Sequence, residues 1–342
     1  MSMTAVCLGE TMAMITPGQG TSLADAGRLE LGSGGAESNV ALGLAAMGVG
    51  THWVSRVGRD GFGARILTEL TQGGVGVEGV EADPSRPTGL YVKVPAHGGS
   101  PASVLYYRRG SAASAMGPDL LGRPAVAGLL ARADLVHLSG ITAALSEECL
   151  ALLEALLGRP RGSQRVSFDV NWRAPLWAGK DRSVLRELAN RADIVLVGRD
   201  EAEHAFGTGD EAEIRALLPD PAVIVIKNEA VSAIALERDG PRSEVRALAV
   251  EVVEPVGAGD SFAAGYLSGV LMGLDQRTSL RRGHIAAACT LTVSGDRGAL
   301  PPPPVLDRVL AYSDEGWKRT TVTSAGFSTA LPHQGPALAA RR

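Results

Sequence analysis

The chain has 342 residues, 45% hydrophobic and 20% charged, and its 33 Lys and Arg against 37 Asp and Glu leave a formal charge of -4. That balance suits a globular protein and argues against a nucleic-acid binder working through a broad basic face, while the apolar uncharged run at residues 38–55 is broken by Gly43, Gly48, Gly50, Thr51 and His52 and reads as helix, turn and strand rather than a membrane span. Cys7, Cys149 and Cys289 are too few and too scattered for a disulfide framework or a zinc site, and the first residues show no signal-peptide pattern, so the expectation is a reduced, cytoplasmic protein with neither a membrane nor a nucleic acid as partner.

Short apolar runs alternate with amphipathic stretches along the chain. Residues 5–9 read as a central strand, 36–47 as a helix, 52–57 as a strand, 62–71 as a helix, 134–138 as a strand and 147–157 as a helix. Residues 165–170, 194–197 and 223–227 are further buried strands, and 260–272 and 279–293 are two long apolar helices. This alternation predicts an α/β fold with a mostly parallel sheet covered on both faces. Gly at 43 of 342 residues, with aromatics at 4%, agrees with many tight strand-to-helix turns.

Two zones break the rhythm. Residues 11–33 and 88–109 carry strand-like runs (12–15, 29–31, 90–94 and 104–107) without intervening helices, and residues 95–101 form a Gly/Pro-rich turn. They predict a small antiparallel sheet inserted as a lid. Its outer face needs cover, so a homodimer or higher oligomer formed through the lid is expected. Residues 318–342 have four basic residues, no acidic ones and no apolar period, and are expected to be disordered. The expected organisation is one domain over 1–317 followed by that tail.

Gly74-Val75-Gly76-Val77-Glu78-Gly79 matches the dinucleotide fingerprint by letter only. The fingerprint needs a strand before it and a helix after it, whereas here a helix precedes and a strand-like run follows. The stronger signal is Gly257-Ala258-Gly259-Asp260, small residues between a strand-like run at 249–253 and a long apolar helix. Small residues at a helix start let backbone N–H groups approach an anion, and the helix dipole adds positive potential there. That suits a transferring phosphoryl group, although an Asp is also simply a good helix starter. Gly34-Gly35-Ala36-Glu37-Ser38-Asn39 is a second Gly-rich turn opening a helix, with polar residues placed to hold a hydroxylated ligand or merely to form an ordinary N-terminal turn.

Together these two strings resemble the two signatures of the ribokinase-like (PfkB) carbohydrate kinase family, with agreement over roughly residues 4–312. The 2-keto-3-deoxygluconate kinase group is the most similar, through Thr88-Gly89-Leu90-Tyr91, Tyr106-Tyr107-Arg108-Arg109-Gly110-Ser111-Ala112, His137-Leu138-Ser139-Gly140-Ile141 and Asp169-Val170-Asn171-Trp172-Arg173. The resemblance implies a three-layer α/β/α fold with a small sheet as lid. It also implies ATP-dependent phosphorylation of the terminal hydroxyl of a sugar acid, with Mg²⁺ on the nucleotide phosphates. Asp260 becomes the base, kept as a carboxylate by the helix N-terminus, and the backbone N–H groups of Gly257, Ala258 and Gly259 become the anion hole. Gly34, Gly35, Ala36, Glu37, Ser38, Asn39, Tyr91, Tyr106, Arg108, Arg173 and Asp296 fall in the sugar pocket. Asn171, Gly198, Lys227 and His284 fall in the nucleotide region, and Glu201 acts indirectly on the metal. The sequence departs from the family at Gly198, where Asn is frequent, at Glu254, where Asp is usual, and at His284, where an Asn often meets the adenine. His137, on a buried strand, reads as a satisfied core histidine. Arg108 and Arg173 suit the carboxylate of a keto acid, although either can equally be a solvated lid charge or a nucleotide-phosphate contact. The alternatives are a kinase for a neutral sugar such as fructose or ribose, and a non-catalytic sugar-binding regulator.

Overall fold

The computed structural model describes residues 3–18, 21–96 and 103–329. In chain order the strands are β1 (Thr4–Leu8), β2 (Met12–Pro17), β3 (Leu29–Gly34), β4 (Gly50–Gly58), β5 (Val75–Asp83), β6 (Leu90–Val94), β7 (Ser103–Tyr107), β8 (Leu135–Ser139), β9 (Arg165–Asp169), β10 (Ile194–Gly198), β11 (Val223–Asn228), β12 (Ser232–Glu237), β13 (Arg242–Arg246), β14 (Ala249–Val250), β15 (Thr320–Thr323) and β16 (Gly326–Thr329). Nine of them form one sheet in the order β13-β12-β11-β10-β9-β8-β1-β4-β5. Every pair from β11 to β5 is parallel, and only the pairs β11–β12 and β12–β13 are antiparallel, so β12 alone runs against the rest.

Alternation along the strands makes the three layers. On β1, Val6 and Leu8 join one apolar cluster, with Leu152 and Leu156 of the helix Glu147–Leu157. Ala5 and Cys7 join the other, with Phe262 and Tyr266 of the helix Ala258–Leu271 and Leu280 of the helix Gln276–Leu291. Successive side chains of a strand point to opposite faces, so a strand that is apolar throughout has to be covered on both. The last two helices pack almost backbone to backbone: a Cβ added at Gly265 would lie 2.5 Å from the Arg282 carbonyl oxygen, and one at Gly283 would lie 2.9 Å from the Phe262 ring.

The parallel order puts the carboxyl ends of β1, β8, β9, β10 and β11 on one edge, which is where α/β sheets bind ligands. The second sheet, β3-β2-β6-β7, stands apart from the first. Its outer pairs are antiparallel, but its middle pair β2–β6 is parallel, because the chain leaves for the large sheet between those two strands. The register sets its two faces. Met14, Tyr91 and Tyr106 line up across one, and Ile15, Leu31, Val92 and Leu105 across the other. The expected turn at 95–101 lies partly outside the described residues.

The C-terminal segment differs from the expectation of disorder. Trp317 is buried, its indole N–H donates to the Arg246 carbonyl at 2.9 Å, and β15 and β16 join β14 in a third small sheet. The run 320–329 is too short and too polar to announce itself by period; tertiary pairing with β14 makes it a strand pair. Residues 330–342 lie outside the described residues. The run at 249–253 is a strand only at Ala249–Val250. Gly74-Val75-Gly76-Val77-Glu78-Gly79 follows the helix Gly61–Gln72 and enters β5. Among the described residues no helix is long and apolar enough to cross a membrane.

Candidate active site

A cleft of about 780 Å³ runs along the carboxyl edge of the large sheet under the small one. It brings together Gly34, Gly35, Ala36 and Asn39 from the first Gly-rich turn, Tyr91, Tyr106 and Arg108 from the small sheet, and Asn171, Arg173, Glu201 and Lys227 from the ends of β9, β10 and β11. Gly257, Gly259, Asp260 and Asp296 complete it.

The late Gly-rich turn is built by packing. Gly257 has φ +83° and its Cα presses directly on the backbone of Asp296, leaving no room for a Cβ. The helix Ala258–Leu271 starts there, and Ser261 N–H makes the first helical bond, back to the Gly257 carbonyl. The next turn therefore aims its early amides at the cleft. Ala258 is not among the residues lining the cleft, and its N–H makes only a long contact, 3.4 Å, with the Pro255 carbonyl.

Asp260 sits half-buried on the cleft floor, where Asn39 Nδ2 donates to its Oδ2 at 2.8 Å. Burial pushes its carboxyl up to about 7, against the Asn39 hydrogen bond and the charges of Arg173 and Lys227. Burial thus works against the ionised form that the helix N-terminus is expected to favour.

Lys227 does not snorkel to solvent. Its ammonium lies 2.9 and 3.2 Å from the two carboxylate oxygens of Asp169. Burial works against that charge, yet Asp169 and Glu201 hold the lysine above its ordinary pKa. Glu201 accepts from the Gly198 N–H at 2.7 Å and approaches Arg173 at 3.4 Å; burial pushes it upward. Asn171 adopts φ 41°, and its buried Oδ1 has no protein partner. Arg108 pairs with the buried carboxylate of Glu10, which also accepts from Ser111 Oγ at 2.6 Å, and its guanidinium lies over the Tyr106 ring at 5.8 Å. Tyr91 OH donates to Asp296 Oδ2 at 3.2 Å.

Four further expected site residues lie elsewhere. Glu37 is fully buried, where its Oε1 accepts from Ser139 Oγ and Thr142 Oγ1, both at 2.6 Å, and ties the helix Ala36–Ala46 to the end of β8. Ser38 donates to the Gly35 carbonyl at 3.0 Å. The helix turns both of these away from the opening on which Asn39 lies. His284 is buried against Phe262 and Trp317, with Nε2 at 3.0 Å from the Val245 carbonyl, and burial lowers its pKa to about 4; it faces core, not cleft. Gly198 is the N-cap of the helix Arg199–Phe206 and touches the cleft only through Glu201. His137 is a core histidine, its Nδ1 2.8 Å from Ser167 Oγ.

Sequence reasoning missed Glu10, Lys93 and Asp169. Lys93 was findable from period two: it stands two residues from Tyr91 on β6 and shares its face. Glu10 was findable as the first charge beyond the carboxyl end of β1. No group of three or more metal-binding side chains occurs among the described residues.

Comparison with known proteins bears on this site. The family model for pfkB family carbohydrate kinases matches residues 3–302. The chain is 33% identical over 316 residues to the 2-dehydro-3-deoxygluconokinase of Thermoproteus tenax, covering 89% of this chain and 93% of that one. It is 34% identical over 313 residues to the 2-dehydro-3-deoxygluconokinase of Bacillus subtilis, with 88% and 93% covered. A solved sugar kinase from Pyrococcus horikoshii in complex with ATP superposes with a TM-score of 0.76 at 24% identity, over 91% of this chain and 98% of that one.

The turn at Gly257 generates a stability test. Gly257→Ala adds a Cβ in a left-handed conformation against the Asp296 backbone, and should cost about 1–3 kcal/mol. Denaturant unfolding of the variant against the wild type measures it; equal midpoints would mean that the turn is not held as described.

Proposed function

The chain belongs to the pfkB family of carbohydrate kinases and is a sugar kinase, and from that premise we propose that it transfers the γ-phosphoryl group of ATP to the terminal hydroxyl of a sugar acid, 2-keto-3-deoxygluconate foremost. The observation that carries this reading is the presence of Arg108 and Arg173, together with Arg109, in the same cleft as Asp260. A neutral sugar needs no guanidinium, whereas a keto acid offers a carboxylate that an arginine fork fits. Arg173 is 48% exposed; its Nη1 donates to the Trp172 carbonyl at 2.8 Å and meets Glu201 only at 3.4 Å, which leaves the rest of the guanidinium for that anion.

Each residue has a chemical task in this mechanism. Tyr91, Asp296 and Asn39 hold the sugar through hydroxyl hydrogen bonds, with Gly34 leaving room beside Tyr91. Asp260 accepts the proton of the attacking hydroxyl, and Asn39 fixes the carboxylate's orientation. The amides at the start of the helix Ala258–Leu271 receive the phosphoryl oxygens, and Lys227 adds positive charge across the cleft. A Mg²⁺ carried by the nucleotide would supply further charge neutralisation. The residues present fit a metal held mainly by phosphate and water rather than by a protein cage, and Glu201 and the unpartnered Asn171 Oδ1 are the groups that would hold it from the protein.

A second reading has its own support. Arg108 is already ion-paired to the buried Glu10, which reduces its pull on a substrate carboxylate and favours a neutral sugar. The apolar outer face of the small sheet, with Leu29, Leu31, Leu105 and Tyr107 exposed, also supports a homodimer in which two lids cover one another.

Four measurements test these assignments. Because burial raises Asp260 to about 7, it is protonated below that pH and accepts a proton only above it. The kcat/KM of the free enzyme should fall about tenfold per pH unit on the acid side and level off on the alkaline side. Asp260→Asn should fold normally yet lose at least about a hundredfold in kcat; undiminished turnover in that variant would remove the mechanism. In a coupled kinase assay over keto acids, fructose and ribose, the keto acids should lead, and Arg173→Ala should raise KM for acids by about tenfold or more while sparing neutral sugars. Equal loss on both classes would make Arg173 a nucleotide or structural residue, and preference for a neutral ketose would favour the second reading. Size measurement should give a dimer that Leu105→Lys converts to monomer; a wild-type monomer at all concentrations would end the lid-pairing idea.

A further inference from the structure

Lys93 carries a charge in the cleft that neither the signatures nor the mechanism above uses. It leaves β6 on the same face as Tyr91 and is 15% exposed. Its ammonium donates to Glu254 Oε1 at 2.6 Å and to Asp296 Oδ1 at 2.5 Å. The other two oxygens are also taken. Gly295 N–H donates to Glu254 Oε2 at 3.1 Å, and Tyr91 OH donates to Asp296 Oδ2 at 3.2 Å. Two carboxylates thus form a closed set of four partnered oxygens, with three of the four hydrogen bonds donated by one strand of the small sheet.

Both carboxylates flank the Gly-rich turn. Glu254 lies three residues before Gly257, and the Asp296 backbone is the surface on which Gly257 rests. Without an ammonium between them, the two negative charges would repel each other and face a phosphoryl group carrying the same sign. Breaking a buried pair by removing one partner leaves the other uncompensated.

We propose that Lys93 is a positioning residue that ties the Glu254 segment to the Asp296 loop from the small sheet and so fixes the turn at 257–260 in its working shape. The inference rests on the phosphoryl-binding role proposed for that turn. It makes the seating of the small sheet and the shaping of the anion turn a single event, so this sheet serves the phosphoryl side of the cleft as well as the sugar side.

The test uses the full-length protein and whichever sugar the wild type phosphorylates, acid or neutral, so an error in the substrate assignment leaves it intact. Lys93→Ala should lose on the order of a hundredfold in kcat/KM, the cost of a small misplacement of reacting groups. Added methylammonium, which restores a donating cation to the vacated space, should recover a large part of that loss. Tetramethylammonium, with the same charge and no N–H, should recover none. Lys93→Met fills the space with an uncharged chain and should show the loss without rescue. A Lys93→Ala enzyme within about threefold of wild type would overturn the proposal, as would a folded one that methylammonium does not relieve. Should the alanine variant fail to fold, a folded Lys93→Met enzyme with wild-type kcat/KM overturns it equally, and one with the loss supports it.

Discussion

Four cations in the cleft are held by carboxylates, and that pairing sets where the other groups can stand. Arg108 rests on Glu10, Lys93 on Glu254 and Asp296, and Lys227 on Asp169, with Arg173 loosely on Glu201. Taking a charge out of water is costly unless an opposite charge and good hydrogen bonds meet it. Each pair joins segments far apart in the chain, so it forms only when the parallel sheet has already brought the strand ends to one edge. The cleft's charge pattern is therefore a consequence of topology, and each pair in turn locks one loop to another.

The pairs differ in how much charge they leave for a ligand. Arg108 and Lys227 are largely satisfied by buried carboxylates, and their remaining capacity is directional, aimed by the partner that holds them. Arg173 is the most exposed of these four, and its Glu201 contact is long. An incoming anion gains most where a cation has least to give up, so the Arg173 end of the cleft is where a carboxylate would be read, with Arg108 acting as a fixed second wall. That asymmetry also explains why a neutral sugar remains a coherent second reading: a cleft in which most cations are compensated does not exclude it.

Much of the fold was legible in the sequence, because strand and helix periods were clean in the parallel half of the sheet. What was not legible came from tertiary pairing. β12 and β13 close the large sheet antiparallel, and β15 and β16 become strands only by meeting β14. The Gly-rich strings marked where ligands approach, since glycine at 34 and 257 is required by contacts that any Cβ would break. The same strings could not say which side chains face the opening. Within Glu37-Ser38-Asn39 only Asn39 does, because a helix turns its neighbours by about 100° each. His284 was misassigned for a related reason: a motif position fixes the helix but not what covers it, and here Trp317 from the C-terminal segment lies against the ring.

Asp260 is the exception to the pairing, and this explains its chemistry in the proposed reaction. Arg173 and Lys227 both act on it through charge, but Asp169 holds the Lys227 ammonium with both oxygens. Had Lys227 bridged to Asp260 instead, the carboxyl would be held low and would make a weak proton acceptor. Left with one neutral donor, Asn39, and hemmed in by protein, it rises to about 7. A proton acceptor works best when its pKa lies near the working pH. In the proposed reaction Asp169 would therefore act without touching the sugar, through its own charge and through its hold on Lys227. The same lysine keeps its full charge for the phosphoryl group, since Asp169 and Glu201 stabilise the ammonium against burial.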